Sequence, residues 1–423
     1  MQKELAKLIA FYLPQYHINN LNNELWGDGF TEWTNVAQGR PNFVGHYQPH
    51  IPGKLGFYDL SFVETISKQV DLAKSFGIYG FCFYYYWFDG KRALELPLNL
   101  FLDSNIQFPF CICWANENWS KKWDGGNNEV VLKQNYAQGF ENNFILSLER
   151  TLKDERYIKL DSKPVLLIYR PSLFSKPAES IKKMREAAKK IGIDNLCILV
   201  VDFYLGDSEA KKMGADGIVE FPPHQFYGLD TLADNLPGKM LNPNYSGHIL
   251  DYRKMFLKAL DKWNTEDPFL RIRGIIPSWD NTARRKDSSV TVINCSPELY
   301  ENWLNYLVTY SKQHESPYIF INAWNEWGEG CHLEPDRRYG CSYLEATKRV
   351  LDNPLRASLT NIRDNFKSEL TTQLNTHILP QSATEESIIQ EITLKDYIKS
   401  KLFRHPKLFE LARKLYKNYR PKK

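Results

Sequence analysis

The chain has 423 residues, of which 43% are apolar and 14% aromatic, and its net charge is +4. That length exceeds a minimal domain and suits one large core with a tail. Residues 395–423 hold 11 Lys or Arg and 2 acids, net +9, which leaves 1–394 at −5; an acidic body argues against a nucleic-acid-binding catalytic domain.

The opening "MQKELAKLIAFYLPQYH" has no long apolar core and no small-residue cleavage site, so it reads as a first strand and not as a signal peptide. No run of 18 apolar residues predicts a membrane span. The seven cysteines are odd in number and scattered, which fits free thiols in a reducing compartment. The expected location is the cytoplasm.

In chain order, short runs rich in Ile, Val, Phe and Tyr alternate with helical patterns. Strands are expected at "LIAFYL" (8–13), "IYGFCFYYYW" (78–87), "FPFCICWAN" (108–116) and "KPVLLIYR" (163–170). Four more are expected at "LCILVVDF" (196–203), "DGIVEF" (216–221), "IRGIIPSW" (272–279) and "YIFINAW" (318–324). The first helix is expected in "YDLSFVETISKQVDLAKSFG", with Asp59 as its N-cap and Gly77 as its stop. An insertion rich in Pro, Asn and Gly spans 222–248. Eight such units predict an α/β fold, a (β/α)8 TIM barrel over 1–367. A doubly wound sheet is the competitor, but there is no GxGxxG after the first strand and no GxxxxGK[ST].

Residues 368–394 are polar and rich in Ser, Thr and Gln, and read as a linker. The tail 395–423 carries Leu408, Phe409, Leu411, Leu415 and Tyr416 at near-helical spacing among basic residues. Such a basic C-terminal helix suits peripheral contact with an anionic inner-membrane surface; a solubilising tail or a docking helix is the equal alternative.

A (β/α)8 barrel forms its site at the C-terminal ends of its strands. The polar and aromatic residues there are Tyr12, Gln15, Tyr16, Tyr86, Trp87, Trp114, Asn116, Glu117, Trp119, Tyr169, Glu220, Trp279, Asn325 and Trp327, and they are the candidate substrate contacts. Amides, carboxylates and aromatic faces together suit a carbohydrate more than a phosphate, a nucleotide or a metal. The segment "WNEWGEG" (324–330) places Glu326 and Glu329 three apart at the end of a buried strand. Glycoside chemistry needs a group that protonates the leaving oxygen and a second that forms or activates the nucleophile. Two neighbouring carboxylates resist both being charged, which keeps one protonated near neutrality. The bland reading of E-x-x-E is a solvated helix face, and its place between indoles favours catalysis.

Asp28, Glu32 and Trp33, in "GDGFTEWTN", read equally as a subsite wall or as a structured loop packed by Trp33. Arg284, Arg285 and Lys286 read as a solvated loop first, and as contacts for an anionic sugar or sugar-nucleotide phosphate second. His17, His46, His50 and His224 raise a metal-dependent hydrolase as an alternative, but no HxH or HExxH supports it, and neither a metal nor a cofactor is expected.

"WNEWGEG" followed by "HLEP", with "IAFYLPQYH", "GFTEWTNV" and "HYQPHIPG", resembles the WbsX family over about 5–350. That family is related to glycoside hydrolase family 99, the endo-α-mannosidases, and its members are described as glycosyltransferases of O-antigen and capsule clusters. The resemblance implies a barrel acting on an oligosaccharide or polysaccharide. It implies Glu326 as the base that removes the substrate 2-hydroxyl proton and Glu329 as the acid/base at the leaving oxygen, in a retaining, 2-hydroxyl-assisted route through a 1,2-anhydro sugar. This chain differs from the hydrolases at Gly328, where they tend to have a bulkier residue, and in the 222–248 loop and the basic tail. A glycan-binding barrel without turnover is the reading from a different class.

Overall fold

A computed structural model describes residues 7–120, 130–235, 238–262, 269–355 and 357–376. Eight strands run parallel: β1 (Lys7–Tyr12), β2 (Ile78–Phe88), β3 (Phe110–Trp114), β4 (Lys163–Ile168), β5 (Cys197–Val201), β6 (Gly217–Val219), β7 (Leu270–Ile275) and β8 (Tyr318–Ile321). Each pairs with its neighbour in sequence order, and β1 pairs with both β2 and β8, so the sheet closes into a (β/α)8 barrel.

The helical layer is made of α1 (Val63–Ser75), α2 (Leu96–Asp103), α3 (Phe140–Ser147), α4 (Pro177–Lys190), α5 (Asp207–Lys212), α6 (Tyr252–Lys262), α7 (Pro297–Gln313), α8 (Ser342–Asp352) and α9 (Leu359–Thr376). The first helix starts at Val63, later than the expected Asp59 cap. The Asp59 carboxylate instead accepts from Ser61 N at 2.7 Å and closes a turn. Gly77 follows the helix at φ +83°, where a side chain would be strained. The segment read as a linker from 368 starts inside α9, which runs to Thr376 and buries Leu370 against the core. The rest of that segment and the basic tail lie outside the described residues.

Strand alternation sorts the aromatic rings into two layers. Phe11 meets Tyr84, Phe221 and Phe320 at 5.6, 5.2 and 5.4 Å between ring centres, contacts that cross the barrel interior. Phe83 and Trp87, the alternate residues of β2, pack outward on Phe101 of α2 and Phe144 of α3. Cys82, Cys111 and Cys113 are buried, and all seven cysteines are free thiols. The 222–248 insertion ends in a short strand, His248–Asp251, that pairs in parallel with Val290–Ile293 outside the barrel. No described helix is long and apolar enough to cross a membrane.

Candidate active site

The chain leaves β8 and folds into a tight hairpin. Asn325 and Glu326 pair antiparallel with His332 and Cys331, and Trp327–Glu329 form one 3-10 turn between them. Gly330 takes φ +56°, and a Cβ there would meet backbone and Cβ atoms of Asp280 at about 3.0 Å. The hairpin is fastened to the end of β1 through Asn325 and Tyr16. Asn325 Oδ1 accepts from Leu13 N (2.7 Å), its Nδ2 donates to Leu13 O (3.0 Å), and its carbonyl accepts from Tyr16 Oη (2.6 Å). Trp327 N in turn donates to Tyr16 Oη at 3.1 Å.

On this hairpin both acids reach the same guanidinium. Arg284 Nη2 donates to Glu326 Oε2 at 2.9 Å, and Nη1 forms an ion pair with Glu329 Oε1 at 3.0 Å. Arg284 Nε donates to Glu32 Oε1 at 2.6 Å. The planar fork with its several donors is what allows one side chain to hold three carboxylates. Glu32 comes from the loop after β1, Arg284 from the loop after β7, and the acids from the loop after β8. These three strands are neighbours in the barrel, which is why their loops converge. Arg284 is 2% exposed, so the solvated-loop reading of its segment is corrected at this residue. The Glu329 side chain is 24% exposed, while that of Glu326 is 5% exposed.

Burial drives the Glu326 carboxyl up to about 8; Arg284 opposes the rise, and Glu329 and Glu32 add to it. Glu32 rises for the same first reason, again against Arg284. Under the hairpin, burial pushes Glu334 up to about 7 although it accepts from Trp327 Nε1 (2.7 Å), Gln69 Nε2 (2.6 Å) and Tyr58 Oη (2.8 Å). Glu334, fixed by Gln69 and Tyr58, holds the Trp327 indole in place, where it also stacks on His332 at 3.7 Å.

Several other candidate contacts gather around the acids. The Tyr86 ring meets Trp119 at 5.1 Å, and the Glu326 carboxylate helps hold the phenol protons of Tyr84 and Tyr86 on, after burial itself. Neither phenol makes a hydrogen bond among the described residues. Tyr169, packed on Phe203 and Phe221, feels the charges of Glu117 and Glu329. Glu117 pairs with Arg170 at 2.7 Å on the same side. Gln15 is buried beside Glu32, whose N–H donates to the Gln15 carbonyl at 3.1 Å. Trp279 lines an adjoining cavity of about 240 Å³ together with His46, Asp280 and His332.

Other candidates are turned elsewhere. Tyr12 Oη donates to Gln69 of α1 at 2.7 Å, outside the barrel wall. Trp87 and Trp114 face α3, where Trp114 stacks on Phe144 at 3.9 Å. Glu220 is fully buried and accepts from Arg273 at 3.0 Å, while Arg273 continues to Tyr310 of α7. Phe221 takes the inward position in its place. Asn116 spends its amide on Arg170 N (2.7 Å), Arg170 O (2.9 Å) and Tyr136 Oη (3.0 Å), and so shapes the loop after β3. Asn325 is committed to the hairpin in the same way.

Fold and site together define the class: a (β/α)8 barrel with a pair of acids on the hairpin after its last strand. The family model described as Glycosyltransferase WbsX matches residues 8–347, and the chain belongs to that family. The WxcX proteins of two Xanthomonas campestris pv. campestris strains are each 37% identical over 350 residues, 82% of this chain and 50% of theirs. The chain thus spans about half the length of the curated relatives it matches. Among solved structures, the family 99 endo-α-mannosidase of Bacteroides thetaiotaomicron aligns with a TM-score of 0.51 at 16% identity, over 85% of this chain and 98% of that one. A glycoside hydrolase-like protein aligns with a TM-score of 0.52 at 14% identity, over 82% and 94%. At those identities the likeness establishes the shared barrel.

Proposed function

We propose that this chain makes or breaks a glycosidic bond in a bacterial surface polysaccharide of the O-antigen or capsule class, with Glu326 and Glu329 as its two proton-handling groups. The observation that carries the reading is that both carboxylates contact one buried guanidinium, that of Arg284. In the 2-hydroxyl-assisted route Glu326 takes the proton of the sugar 2-hydroxyl, and that oxygen attacks C1. The C1–O bond to the leaving group breaks as Glu329 gives that oxygen a proton. Water or an acceptor hydroxyl, deprotonated by Glu329, then opens the 1,2-anhydro ring at C1, and the 2-oxygen recovers its proton from Glu326. Two displacements at C1 return the original configuration. The sugar faces have Tyr86, Trp119 and Tyr169 to pack against.

One observation favours a second assignment. A carboxyl held up to about 8 is protonated at neutral pH and suits a general acid, with Glu329 as its partner base or nucleophile. The two assignments give opposite pH slopes. The experiment is turnover of a panel of α-mannosides and related oligosaccharides by the wild type and by Glu326→Gln and Glu329→Gln. Loss of a general acid or base is expected to cost roughly 10²- to 10⁴-fold in rate. Sugar binding without turnover in all three proteins would move the chain to the glycan-binding class, and unchanged turnover in both variants would remove the acid pair from the chemistry. Supplying nucleotide-sugar or lipid-linked donors in parallel separates transfer from hydrolysis.

A further inference from the structure

We propose that His50, His332 and Asp336 form a binding site for a divalent transition metal of zinc's ligand preference, which ties the loop after β1 to the hairpin that carries the acids. The inference does not depend on the reaction assigned above. His50 Nδ1 and His332 Nε2 lie 2.8 Å apart, and an Asp336 carboxylate oxygen is within 4.8 Å of both. All three residues are buried and line the cavity of about 240 Å³ beside the acid site. Two nitrogens each about 2.1 Å from one tetrahedral zinc ion lie about 3.4 Å apart, so the rings need to part by only about 0.6 Å from the spacing present here.

The surroundings favour coordination over a charged pair of rings. His332 Nδ1 lies 3.0 Å from the Glu334 carbonyl, which cannot donate, so Nδ1 carries the proton and Nε2 presents a lone pair to the site. His50 then donates from Nδ1 to that lone pair; on metal binding its proton moves to its own Nε2, with no net loss. Asp336 supplies one negative ligand, Asp280 a second nearby negative charge, and Arg338 opposes them from across the cavity while stacked on Tyr47 and Tyr339. Two imidazoles and a carboxylate leave positions open toward the cavity, an arrangement that divalent zinc, cobalt and iron accept.

His332 pairs across the hairpin with Asn325 and stacks on Trp327, so a metal here would brace the turn that bears Glu326 and Glu329. The test uses the whole chain, stripped with a chelator and titrated with Zn²⁺ and Co²⁺. The expected result is one equivalent bound per chain, a visible ligand-field spectrum for Co²⁺ with imidazole signals shifted by the metal, and a raised Tm. His50→Asn and Asp336→Asn should each weaken binding at least about tenfold, the scale of lost metal-site partners. Two variants guard against one failing to fold, and the wild-type Co²⁺ spectrum reads the ligands without either. Absence of stoichiometric binding, a Co²⁺ spectrum without imidazole ligands, or affinity unchanged in the folded variants would overturn the site.

Discussion

A Cβ on Gly328 would lie 2.0 Å from Glu32 Oε1 and 2.8 Å from Arg284 Nε. The turn between the two acids therefore has no side chain at its centre because the Glu32–Arg284 ion pair passes there. Glu32 cannot simply swing away, since it is fully buried and bonded to Arg284 at 2.6 Å. Gly328→Ala should therefore push Glu32 off the guanidinium. The expected result is a loss of about 1–3 kcal/mol of stability, the usual cost of overpacking, together with a fall in turnover larger than any change in KM. Urea unfolding and steady-state kinetics check the two parts, and a fully active, fully stable alanine variant would show that the close approach does not matter.

Among the described residues Arg284 is the cationic partner that Glu32, Glu326 and Glu329 share; the arginine, Glu32 and Glu326 are buried, and Glu329 is partly exposed. Removing one member of a buried ion cluster leaves the others uncompensated, at a cost of about 3–5 kcal/mol. Arg284→Gln should lose stability on that scale at pH 8 and much less at pH 5, where Glu32 and Glu326, both raised by burial, accept protons in place of the guanidinium. Arg284→Lys keeps the charge and gives up the fork, so it should fall between. Thermal melts of the three proteins at both pH values test this, and an equal loss at pH 5 and pH 8 would rule out the electrostatic account.

Much of this arrangement was legible in the chain, and the failures share a cause. The eight strands stood out because their apolar runs are short, β-branched or aromatic, and separated by helical patterns. The acid pair stood out because two carboxylates directly follow a buried strand. Period-two alternation was the weak point. In "FYYYWF" it separates Tyr86, which faces the acids, from Trp87, which faces α3, and one residue of error in the strand end exchanges the two layers. Glu220 was misplaced for the same reason, one position before the inward Phe221. Arg284 looked like surface because it sits in "ARRK"; its burial depends on Glu32, 252 residues earlier. The signal that could have found it was barrel closure, since the loops after β7, β8 and β1 must be neighbours.

That layering makes a prediction about the aromatic residues. Trp114 is fully buried against Phe144, so Trp114→Ala should cost about 3–5 kcal/mol of stability and leave KM near the wild-type value in whatever protein stays folded. Tyr86→Phe removes only a hydroxyl that makes no hydrogen bond among the described residues, so stability should hold while turnover or KM changes. Chemical denaturation and kinetics on both variants decide it, and the reverse pattern would place the substrate on the wrong side of β2.

The pH behaviour of Glu326 follows from its burial. Its folded value of about 8 stands above the ordinary 4.5, so the protonated form is the one the fold prefers. Its contribution to stability is then fully present below about pH 4.5 and is lost as pH rises through about 8. A rise of that size corresponds to a few kcal/mol, at about 1.4 kcal/mol per pH unit. Glu326→Gln, neutral at every pH, should flatten this part of the profile, and unfolding curves of both proteins between pH 5 and pH 9 measure the difference. Activity reads the same titration with a sign that depends on role. If Glu326 removes the 2-hydroxyl proton, kcat/KM rises with pH up to about 8, because only the ionised carboxylate is a base. If it protonates the leaving oxygen, kcat/KM falls across the same window. A wild-type profile with no inflection between pH 6 and pH 9, on a substrate whose turnover needs Glu326, would mean that the Arg284 guanidinium outweighs burial and keeps the carboxylate charged throughout.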